Sequence, residues 1–496
     1  MTKKLFHRPE TQVRNRLLSV ALVAGSLAAC APVVISADWT RFLGPDGKSI
    51  STDSAKIPET WSDTENVRWK AELPGAGVSS PIVVGGKLFV TSYSGYGMGG
   101  ENEKIEDLKR HLSCFDAANG ELKWTKTVDA VQPEDPYRGA GVPAHGYASH
   151  TPTSDGKHVF VFFGKTGVIA FDFDGNEVWR QSVGTGSGPM QWGSAASPIV
   201  YTAGDKSMVI VNASDESETL FAFDAATGKE VWKTEAGNLA NSWSTPNLVK
   251  TGDDVDLVIM VPGEVWGLNP ETGKLRWYSR GTTDNTASAS PIAIGDTVFA
   301  VGGRDGAAVA VKAGGKDDVN DSNVVWDANI PGRFATPIAH DGHLYVFNGG
   351  VLTCYDAKTG DRVNQRRFSE ARQGGGGDRP GGGFGGGGFG GRAPGGRGPG
   401  AGGPGGGGPG GGGRGGRGGG FGGGRSTQEY ATPVLADGKI YVVAPGGQVY
   451  VVNATPEMEL RQTNKLTDDS GFSASPAISD GRLYLRSGNN VYCIAE

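Results

Sequence analysis

A Ser/Thr-Pro dipeptide that opens an apolar run recurs eight times along this chain. It occurs at Ser80, Thr151, Ser197, Thr245, Ser290, Thr336, Thr432 and Ser475. Five of the seven intervals between these residues are 43 to 48 residues long, and the other two are 71 and 96 residues. A period of this length predicts an array of similar units rather than a set of unrelated domains.

Each unit is predicted to form four short β-strands. Proline begins the first strand, where its missing N–H does least harm to a sheet, and apolar runs give the second and third strands. A turn such as residues 224–228 ("DAATG") or 269–273 ("NPETG") joins the third strand to the fourth, because Asp or Asn caps such a turn and Gly adopts its positive φ. Units of this kind predict an all-β fold, a single eight-bladed β-propeller.

The fourth strand of most units carries a tryptophan at one repeated position, and we expect these side chains to pack between neighbouring blades. They are Trp69, Trp124, Trp179, Trp232, Trp277 and Trp326. Units six and seven carry Asn364 and Arg461 in that place. The last unit supplies only three strands, so the strand around Trp69 is expected to complete the last blade and to close the ring.

The first 29 residues have the pattern of a signal peptide. A basic stretch precedes the apolar run 17–29, which is too short to span a bilayer comfortably. The run ends in "LAAC", which predicts cleavage before Cys30 and lipid on its thiol. An ordinary signal cleaved nearby, for example after Ala37, is the alternative. The prediction is a periplasmic, membrane-anchored lipoprotein of the bacterial cell envelope, with an N-terminal extension over residues 30–65 before the propeller at 66–496.

The 96-residue interval contains a Gly/Arg-rich stretch at residues 374–425. Removing these 52 residues leaves 44, the ordinary repeat length. The stretch has almost no apolar side chains, so we expect a disordered insertion between blades six and seven. The formal net charge of −6 and the export signal argue against a nucleic-acid partner.

The other three cysteines occupy one strand position in different units. Cys114, Cys354 and Cys493 match Ala170 and Ala222 in this alignment of units, so we expect small core side chains rather than reactive thiols. Their spacing gives no metal knuckle and no haem attachment site.

The units "FDAATGKEVW", "LNPETGKLRW" and "FDAANGELKW" resemble the pyrroloquinoline quinone (PQQ)-type repeat proteins over residues 66–496. That family includes quinoprotein alcohol and glucose dehydrogenases. It also includes non-catalytic envelope propellers, such as the lipoprotein of the outer-membrane β-barrel assembly machinery. The export signal and the absence of a further domain are more similar to the second group.

The resemblance implies a monomeric propeller that binds or scaffolds envelope proteins or secreted polymers, with no cofactor. The alternative is a PQQ-dependent oxidoreductase with calcium at the channel mouth. The quinoprotein dehydrogenases carry an adjacent Cys-Cys pair beside the quinone, and this sequence has none.

The connections from each fourth strand to the next first strand converge on one mouth of a propeller channel. We therefore expect their side chains to surround that opening and to offer a site for a planar or anionic ligand. They are His145, Tyr147, His150, Gln191, Trp192, Trp243, Arg333, Tyr430 and Phe472. The alternative is that they only seal the mouth by packing. No residue is assigned a catalytic role or a metal.

Overall fold

The computed structural model describes residues 38–53, 55–137, 145–303, 305–368 and 429–496. These residues form eight sheets, seven with four antiparallel strands and one with a short fifth strand added in parallel, and their inner strands contact one another around a central channel. The described helices are two short α-helices and three 3₁₀ turns. They are α1 (Ser214–Ser217), α2 (Asn320–Asn323), Ile105–Asp107, Gly164–Thr166 and Gly237–Leu239. The all-β, eight-bladed propeller expected from the repeats is confirmed.

The first four blades follow the chain from inner to outer strand. Blade one contains β2 (Ile82–Val84), β3 (Lys87–Ser94), β4 (Lys109–Asp116) and β5 (Leu122–Asp129). Blade two contains β6 (Thr153–Ser154), β7 (His158–Phe162), β8 (Val168–Asp172) and β9 (Glu177–Gln181). Blade three contains β10 (Ile199–Ala203), β11 (Lys206–Ala213), β12 (Thr219–Asp224) and β13 (Glu230–Glu235). Blade four contains β14 (Asn247–Thr251), β15 (Asp254–Val261), β16 (Glu264–Leu268) and β17 (Leu275–Arg280).

The last four blades repeat this order, and one short strand leaves its own blade. Blade five contains β18 (Ile292–Ile294), β19 (Thr297–Val301), β20 (Ala307–Lys312) and β22 (Val324–Asn329), while β21 (Asp317–Asp318) joins blade four. Blade six contains β23 (Ile338–His340), β24 (His343–Asn348), β25 (Val351–Asp356) and β26 (Arg362–Arg367). Blade seven contains β27 (Val434–Ala436), β28 (Lys439–Val443), β29 (Gln448–Asn453) and β30 (Leu460–Lys465). Blade eight contains β31 (Ala477–Ser479), β32 (Arg482–Arg486), β33 (Asn490–Ile494) and β1 (Val67–Glu72).

The ring is closed by pairing the two ends of the propeller sequence. Strand β1 pairs antiparallel with β33, and Trp69 lies opposite Cys493. The first strand of the propeller therefore completes the last blade, as the sequence predicted. Because this pairing gives blade eight its fourth strand, the ring has no open gap between its first and last blades.

The Ser/Thr-Pro dipeptides form a hydrogen-bonded belt around the channel. In seven of the eight steps, the backbone N–H of one Ser/Thr donates to the side-chain oxygen of its equivalent in the next blade, at 2.9 to 3.2 Å. A small hydroxyl side chain at this position satisfies a buried N–H that faces the channel rather than a neighbouring strand. The repeat is thus a link between blades as well as a strand start.

A β-bulge precedes the tryptophan position in the outer strand of every blade. The bulge places each tryptophan opposite a small residue of the third strand. The opposed pairs are Trp69–Cys493, Trp124–Cys114, Trp179–Ala170, Trp232–Ala222, Trp277–Gly267 and Trp326–Ala310. The cysteines are fully buried and unbridged, and burial raises the pKa of the Cys114 thiol to about 12.

Five of the six tryptophans contact the next blade. The indole N–H groups of Trp69, Trp124, Trp179, Trp232 and Trp326 each donate to a carbonyl in the next blade's turn between its third and fourth strands, at 2.9 to 3.1 Å. A glycine in the turn packs directly against the indole ring. In the turn that receives Trp179, for example, a Cβ added at Gly228 would lie 2.6 Å from the indole. The structure therefore places these five side chains between neighbouring blades.

Trp277 is the exception among the six. Its indole N–H donates to Asp256 within its own blade, at 2.7 Å. In the next blade the third and fourth strands are joined by a longer connection that contains β21 and α2, so the tight turn that receives the other tryptophans is replaced. Gly314 in that connection also donates to the Asp256 carboxylate, at 2.9 Å.

The register of blade seven corrects the position assigned to Arg461. The bulge places Gln462, and not Arg461, opposite Val451 at the tryptophan position. The missing indole is supplied by Trp61 of the N-terminal extension, which is buried in the same apolar cluster and stacks on Tyr441 of β28 at 6.3 Å. Trp69 makes the equivalent contact with Tyr484 in blade eight. The extension thus completes a blade whose own sequence lacks the residue.

The same extension crosses the central channel. Trp39 forms a β-bridge with the inner strand of blade one, and Ile50 forms one with the inner strand of blade seven. Between them, Arg41 donates to the side-chain oxygen of Asn247 in blade four, at 2.8 Å. We call residues 39–50 the channel segment. The N-terminal signal, Cys30 and the insertion 374–425 lie outside the described residues.

Candidate functional site

A cavity of about 280 Å³ lies in the channel mouth. Its lining comes from the connections that enter all eight blades, and seven of the eight Ser/Thr-Pro hydroxyl residues contribute to it. Phe42 of the channel segment also lines the cavity. Because the channel segment occupies the channel beneath, the cavity is a pocket that opens at the mouth rather than part of an open pore.

Aromatic pairs form two parts of the wall. Trp192 and Trp243 stack with ring centroids 5.3 Å apart, and Phe334 lies 4.6 Å from Tyr430. The indole N–H of Trp243 donates to the Gly193 carbonyl at 2.8 Å, which fixes the angle of its ring. Such walls favour flat, apolar ligand surfaces.

Arg333 is the cationic side chain of the lining. Its guanidinium carbon lies 4.6 Å from the centre of the Phe334 ring, a cation–π contact. The described lining residues include no Asp, Glu or Cys. Arg333 is therefore the charged group that the described lining itself contributes.

His145 lines the pocket as a neutral side chain. Its Nδ1 lies 2.6 Å from the Ser149 hydroxyl, and burial lowers the pKa of His145 to about 4. Burial disfavours the charged imidazolium, so the neutral form is favoured near pH 7. His145 therefore offers a hydrogen bond, and not a charge, to anything bound there.

The structure brings together five of the nine residues expected at the mouth. His145, Trp192, Trp243, Arg333 and Tyr430 line the pocket. The other four lie outside the lining. Two further aromatic lining residues, Phe42 and Phe334, were not among the expected nine.

The remaining candidates pack into the surrounding structure. Tyr147 is buried against Tyr137, with ring centroids 4.1 Å apart. Phe472 is buried beside Tyr492. Gln191 lies at a left-handed backbone position with φ of 53°. For Tyr147 and Phe472, the packing role that was the alternative interpretation matches their buried positions.

His150 belongs to a buried polar cluster behind the pocket. Its Nε2 lies 3.1 Å from the Ser194 hydroxyl, which donates to the Glu216 carboxyl at 2.5 Å. Burial, with a smaller contribution from Arg110, lowers the pKa of His150 to about 3. Burial raises the pKa values of Glu216 and its neighbour Asp215 in α1, and the Glu216 Oε2 atom is buried without a hydrogen-bond partner among the described residues.

A buried ion pair links the same cluster to the long loops of blade one. Arg110 and Glu134 lie 2.7 Å apart with side chains 1% exposed, and Arg110 also donates to the Thr166 hydroxyl at 3.0 Å. Lys165 pairs with Asp135 beside them. The cluster joins loops of blades one, two and three, so it supports the mouth from behind.

The site fits one part of the implied quinone cofactor and not the other. The stacked indoles suit a planar ring, and Arg333 suits a carboxylate on it. Calcium takes six to eight oxygen ligands, usually including carboxylates, and the described lining has none. Within the described residues, no group of three or more His, Cys, Asp or Glu side chains is arranged to hold a metal. The calcium-dependent form of the cofactor therefore does not fit this lining.

Comparison with known proteins gives stronger support for the fold than for any particular activity. BamB from Moraxella catarrhalis superimposes with a TM-score of 0.51 at 13% identity, covering 86% of this chain and 96% of that one. The quinohemoprotein alcohol dehydrogenase from Comamonas testosteroni gives 0.54 at 12%, covering 92% and 80%. A europium-containing methanol dehydrogenase gives 0.55 at 12%, covering 92% and 98%. These similarities show a shared propeller fold.

No curated protein sequence matches this chain significantly. Among the described residues, no helix has the length and apolar character needed to cross a bilayer. A sequence profile described as "Outer membrane protein assembly factor BamB" matches residues 43–183 and 108–366. These matches together span more than half of the sequence and cover most blades. The chain therefore belongs to this family of PQQ-type repeat propellers.

Proposed function

We propose that this protein is an exported, lipid-anchored propeller that acts as a binding or scaffolding protein in the bacterial cell envelope. Its partners on this proposal are envelope proteins whose extended segments lie along the outer edges of the blades. Membership of a family described as an outer membrane protein assembly factor supports this role. The observation that carries it is that two outer edges already hold such segments from elsewhere in the chain.

The first of these edges is β17 of blade four. Strand β21 pairs with it in parallel, with Trp277 opposite Asp317 and Tyr278 opposite Asp318. This is β-augmentation within one chain, in which an extended segment satisfies the free N–H and C=O groups of an edge strand.

The second edge is β30 of blade seven. The Asn464 side chain accepts from the Trp61 backbone N–H at 2.9 Å and donates to the Glu59 carbonyl at 2.8 Å. The segment also buries Trp61 against Tyr441 of the same blade, in an apolar cluster that includes residues of blade eight. Here a side-chain amide, and not a backbone ladder, makes the hydrogen bonds to the added segment. The edges of the blades therefore bind extended chain in two ways, through backbone pairing at β17 and through a side-chain amide at β30.

The other blades present similar edges to solvent. The outer strands of blades one to seven, including the two just described, each carry an exposed aliphatic side chain near the bulge, between 37% and 53% exposed. These side chains are Leu122, Val178, Val231, Leu275, Val325, Val363 and Leu460. Among the described residues, β13 and β26 carry no added strand. An edge strand pairs with a polypeptide backbone, which favours protein partners over secreted polymers.

Site-specific photo-crosslinking in intact cells tests the binding role. A photoreactive amino acid is placed at Val231 in β13 or Val363 in β26, with exposed Asp253 in an inter-strand turn as the matched control. We expect one envelope protein to crosslink through an extended segment at an outer edge and not at Asp253. Equal crosslinking at all three positions, or none at either edge, would contradict the edge-binding role.

The anchor is tested separately by metabolic labelling with palmitate. We expect the label on the wild-type protein and none on the Cys30→Ser variant. An unlabelled wild-type protein whose mature N-terminus is Asp38 would instead establish the ordinary signal cleaved after Ala37.

A further inference from the structure

We infer that the outer edge of blade six, strand β26, binds an extended acidic segment of a partner protein. This site rests on the proposed edge-binding role, and it specifies which edge binds and which charge the bound segment carries. The observations are the charges of the eight outer strands and the two edges that already hold a segment of this chain.

Three of the eight outer strands contain no Asp or Glu. They are β17 (LRWYSR), β26 (RVNQRR) and β30 (LRQTNK). Each of the other five outer strands carries at least one carboxylate within the strand. The charged side chains of β17, β26 and β30 are therefore all cationic.

The segment added to β17 is acidic. Strand β21 is a pair of aspartates, and Asp321 follows three residues later. In the same segment, the Asn320 side chain accepts from the Arg280 backbone N–H of β17 at 2.9 Å. The carboxylates of Asp327 and, to a smaller extent, Asp321 raise the pKa of Arg280. A cationic outer strand is thus covered by chain that carries acidic side chains.

The segment added to β30 is also acidic. The Glu59 carboxylate lies 3.7 Å from the Arg461 guanidinium of β30 and 3.4 Å from the Lys439 ammonium of β28. Further along the segment, the Asp63 carboxylate accepts from the Thr467 backbone N–H at 3.0 Å. Both carboxylate-free strands that hold a segment of this chain therefore hold an acidic one, as attraction between opposite charges favours.

Strand β26 is the third carboxylate-free strand, and no added strand pairs with it among the described residues. Its three arginines are Arg362, Arg366 and Arg367, and Val363 beside them is 48% exposed. Arg362 donates to the Gln365 side chain at 3.2 Å. The buried Nε of Arg366 has no hydrogen-bond partner within the described part of the chain. Cationic side chains and an exposed aliphatic one thus lie along this edge.

The end of β26 matches the part of β17 that contacts the added segment. Arg367 and Arg280 each lie opposite the first residue of the third strand of their blade. In blade three that place is taken by Glu235 of β13. An acidic segment is therefore attracted to β26 and repelled from β13, although both strands offer the same kind of backbone edge.

Three peptides of equal length test this charge preference on the purified mature protein. They are capped decapeptides in which Thr, which favours extended chain, alternates with Asp, Asn or Lys. The protein carries a photoreactive amino acid at Val363 in β26 or at Val231 in β13. We expect the acidic peptide to crosslink at Val363 at least about tenfold more than at Val231, the scale of two or three exposed ion pairs. The basic peptide should crosslink least at Val363.

Variants assign the preference to particular side chains. The double change Arg366→Gln and Arg367→Gln should weaken the acidic peptide about tenfold in fluorescence anisotropy and leave the neutral peptide unchanged. Lys233→Gln, at an exposed lysine on β13, is the matched control and should change neither. Glu235→Arg should raise crosslinking of the acidic peptide at Val231. Urea unfolding of each variant confirms that it is folded before its binding is interpreted.

Several results would overturn this site. They are equal binding of the three peptides, no crosslinking of the acidic peptide at Val363, and normal binding of that peptide by the double variant. Wild-type dimers in sedimentation that the double variant does not form would replace the partner protein by a second copy of this chain.

The outcome for this site is separable from the outcome for the edge-binding role. The peptide measurements use purified protein, so they do not depend on whether the edges crosslink in cells. An envelope protein that crosslinks in cells at Val231 and not at Val363 would support the edge-binding role and contradict the acidic site on β26.

Discussion

Asp215 and Glu216 place two carboxyl groups inside the protein, and this has a consequence for stability. Both residues lie in α1 and are 4% and 6% exposed. Burial raises the pKa of each carboxyl, and for Glu216 the neighbouring Asp215 charge adds to the effect. The folded state therefore holds protons that the unfolded chain releases above its ordinary carboxyl pKa of about 4.

The sign of this linkage predicts lower stability at higher pH. The contribution of these two carboxyl groups to the unfolding free energy is fully present below their ordinary pKa and is lost as pH rises through their raised pKa values. We expect Asp215→Asn and Glu216→Gln to reduce the fall in unfolding free energy between about pH 5 and pH 9. Urea titrations across this range measure it.

The matched control for these variants is Glu230→Gln, at an exposed carboxylate on β13. It should leave the pH dependence unchanged because its carboxylate is solvated in both states. A wild-type protein whose stability rises steadily to pH 9 would show that the α1 carboxyls are ionised in the fold.

At the scale of elements, the main stabilising contact that repeats is a tryptophan packed between neighbouring blades. Trp179 is held by its own blade and by the turn of the next one, to which its indole N–H donates at 2.9 Å. Trp61 makes an equivalent ring contact in blade seven although it precedes the propeller strands. Both side chains are buried, at 3% and 8% exposed for Trp61 and Trp179.

We expect Trp61→Ala and Trp179→Ala each to lower the unfolding free energy by about 3–5 kcal/mol, since each empties a large buried site. The change is measured by equilibrium unfolding in urea. Val178→Ala is the control, because this neighbour of Trp179 is 43% exposed and should cost far less. A Trp61→Ala protein as stable as wild type would show that the extension only rests on the surface.

The repeat pattern explains which elements could be predicted from the sequence. Strands, turns and closure by Trp69 follow from units that recur with the same spacing. Trp61 and the channel segment lie outside any repeat, so no periodic signal marked them. The position of Gln462 depends on the turn before β30, which is one residue longer than the equivalent turn of blade three: Val452 pairs with Leu460, whereas Phe223 pairs with Glu230.

The sequence was enough to predict which loops surround the candidate site, but not which of their side chains face it. Convergence of the connections on one mouth follows from the fold, and His145, Trp192 and Arg333 do line the pocket there. Whether a side chain in such a loop faces the opening depends on local backbone and packing. Tyr147, for example, turns inward because Tyr137 stacks on it, and Phe42 arrives from a segment with no repeat.

At the scale of the whole molecule, the contribution of a segment to the stability of the propeller ring depends on where the segment lies and not on how long it is. Residues 60–74 contain β1 and both Trp61 and Trp69, so they hold blades seven, eight and one together. Residues 374–425 lie outside the described residues, between β26 and β27. The belt bond from Thr336 to Thr432 spans that whole interval at 3.0 Å.

Two deletions, one short and one long, test this difference. Removing residues 60–74 should abolish cooperative unfolding, because it takes away the strand that closes the ring and two interblade wedges. Removing the 52 residues 374–425 should leave a single transition at nearly the same midpoint, because loop-closure entropy varies only logarithmically with length. Calorimetry and urea unfolding of both variants provide the measurement. A cooperative 60–74 deletion would contradict the closure, and an unfolded 374–425 deletion would show that the insertion belongs to a blade.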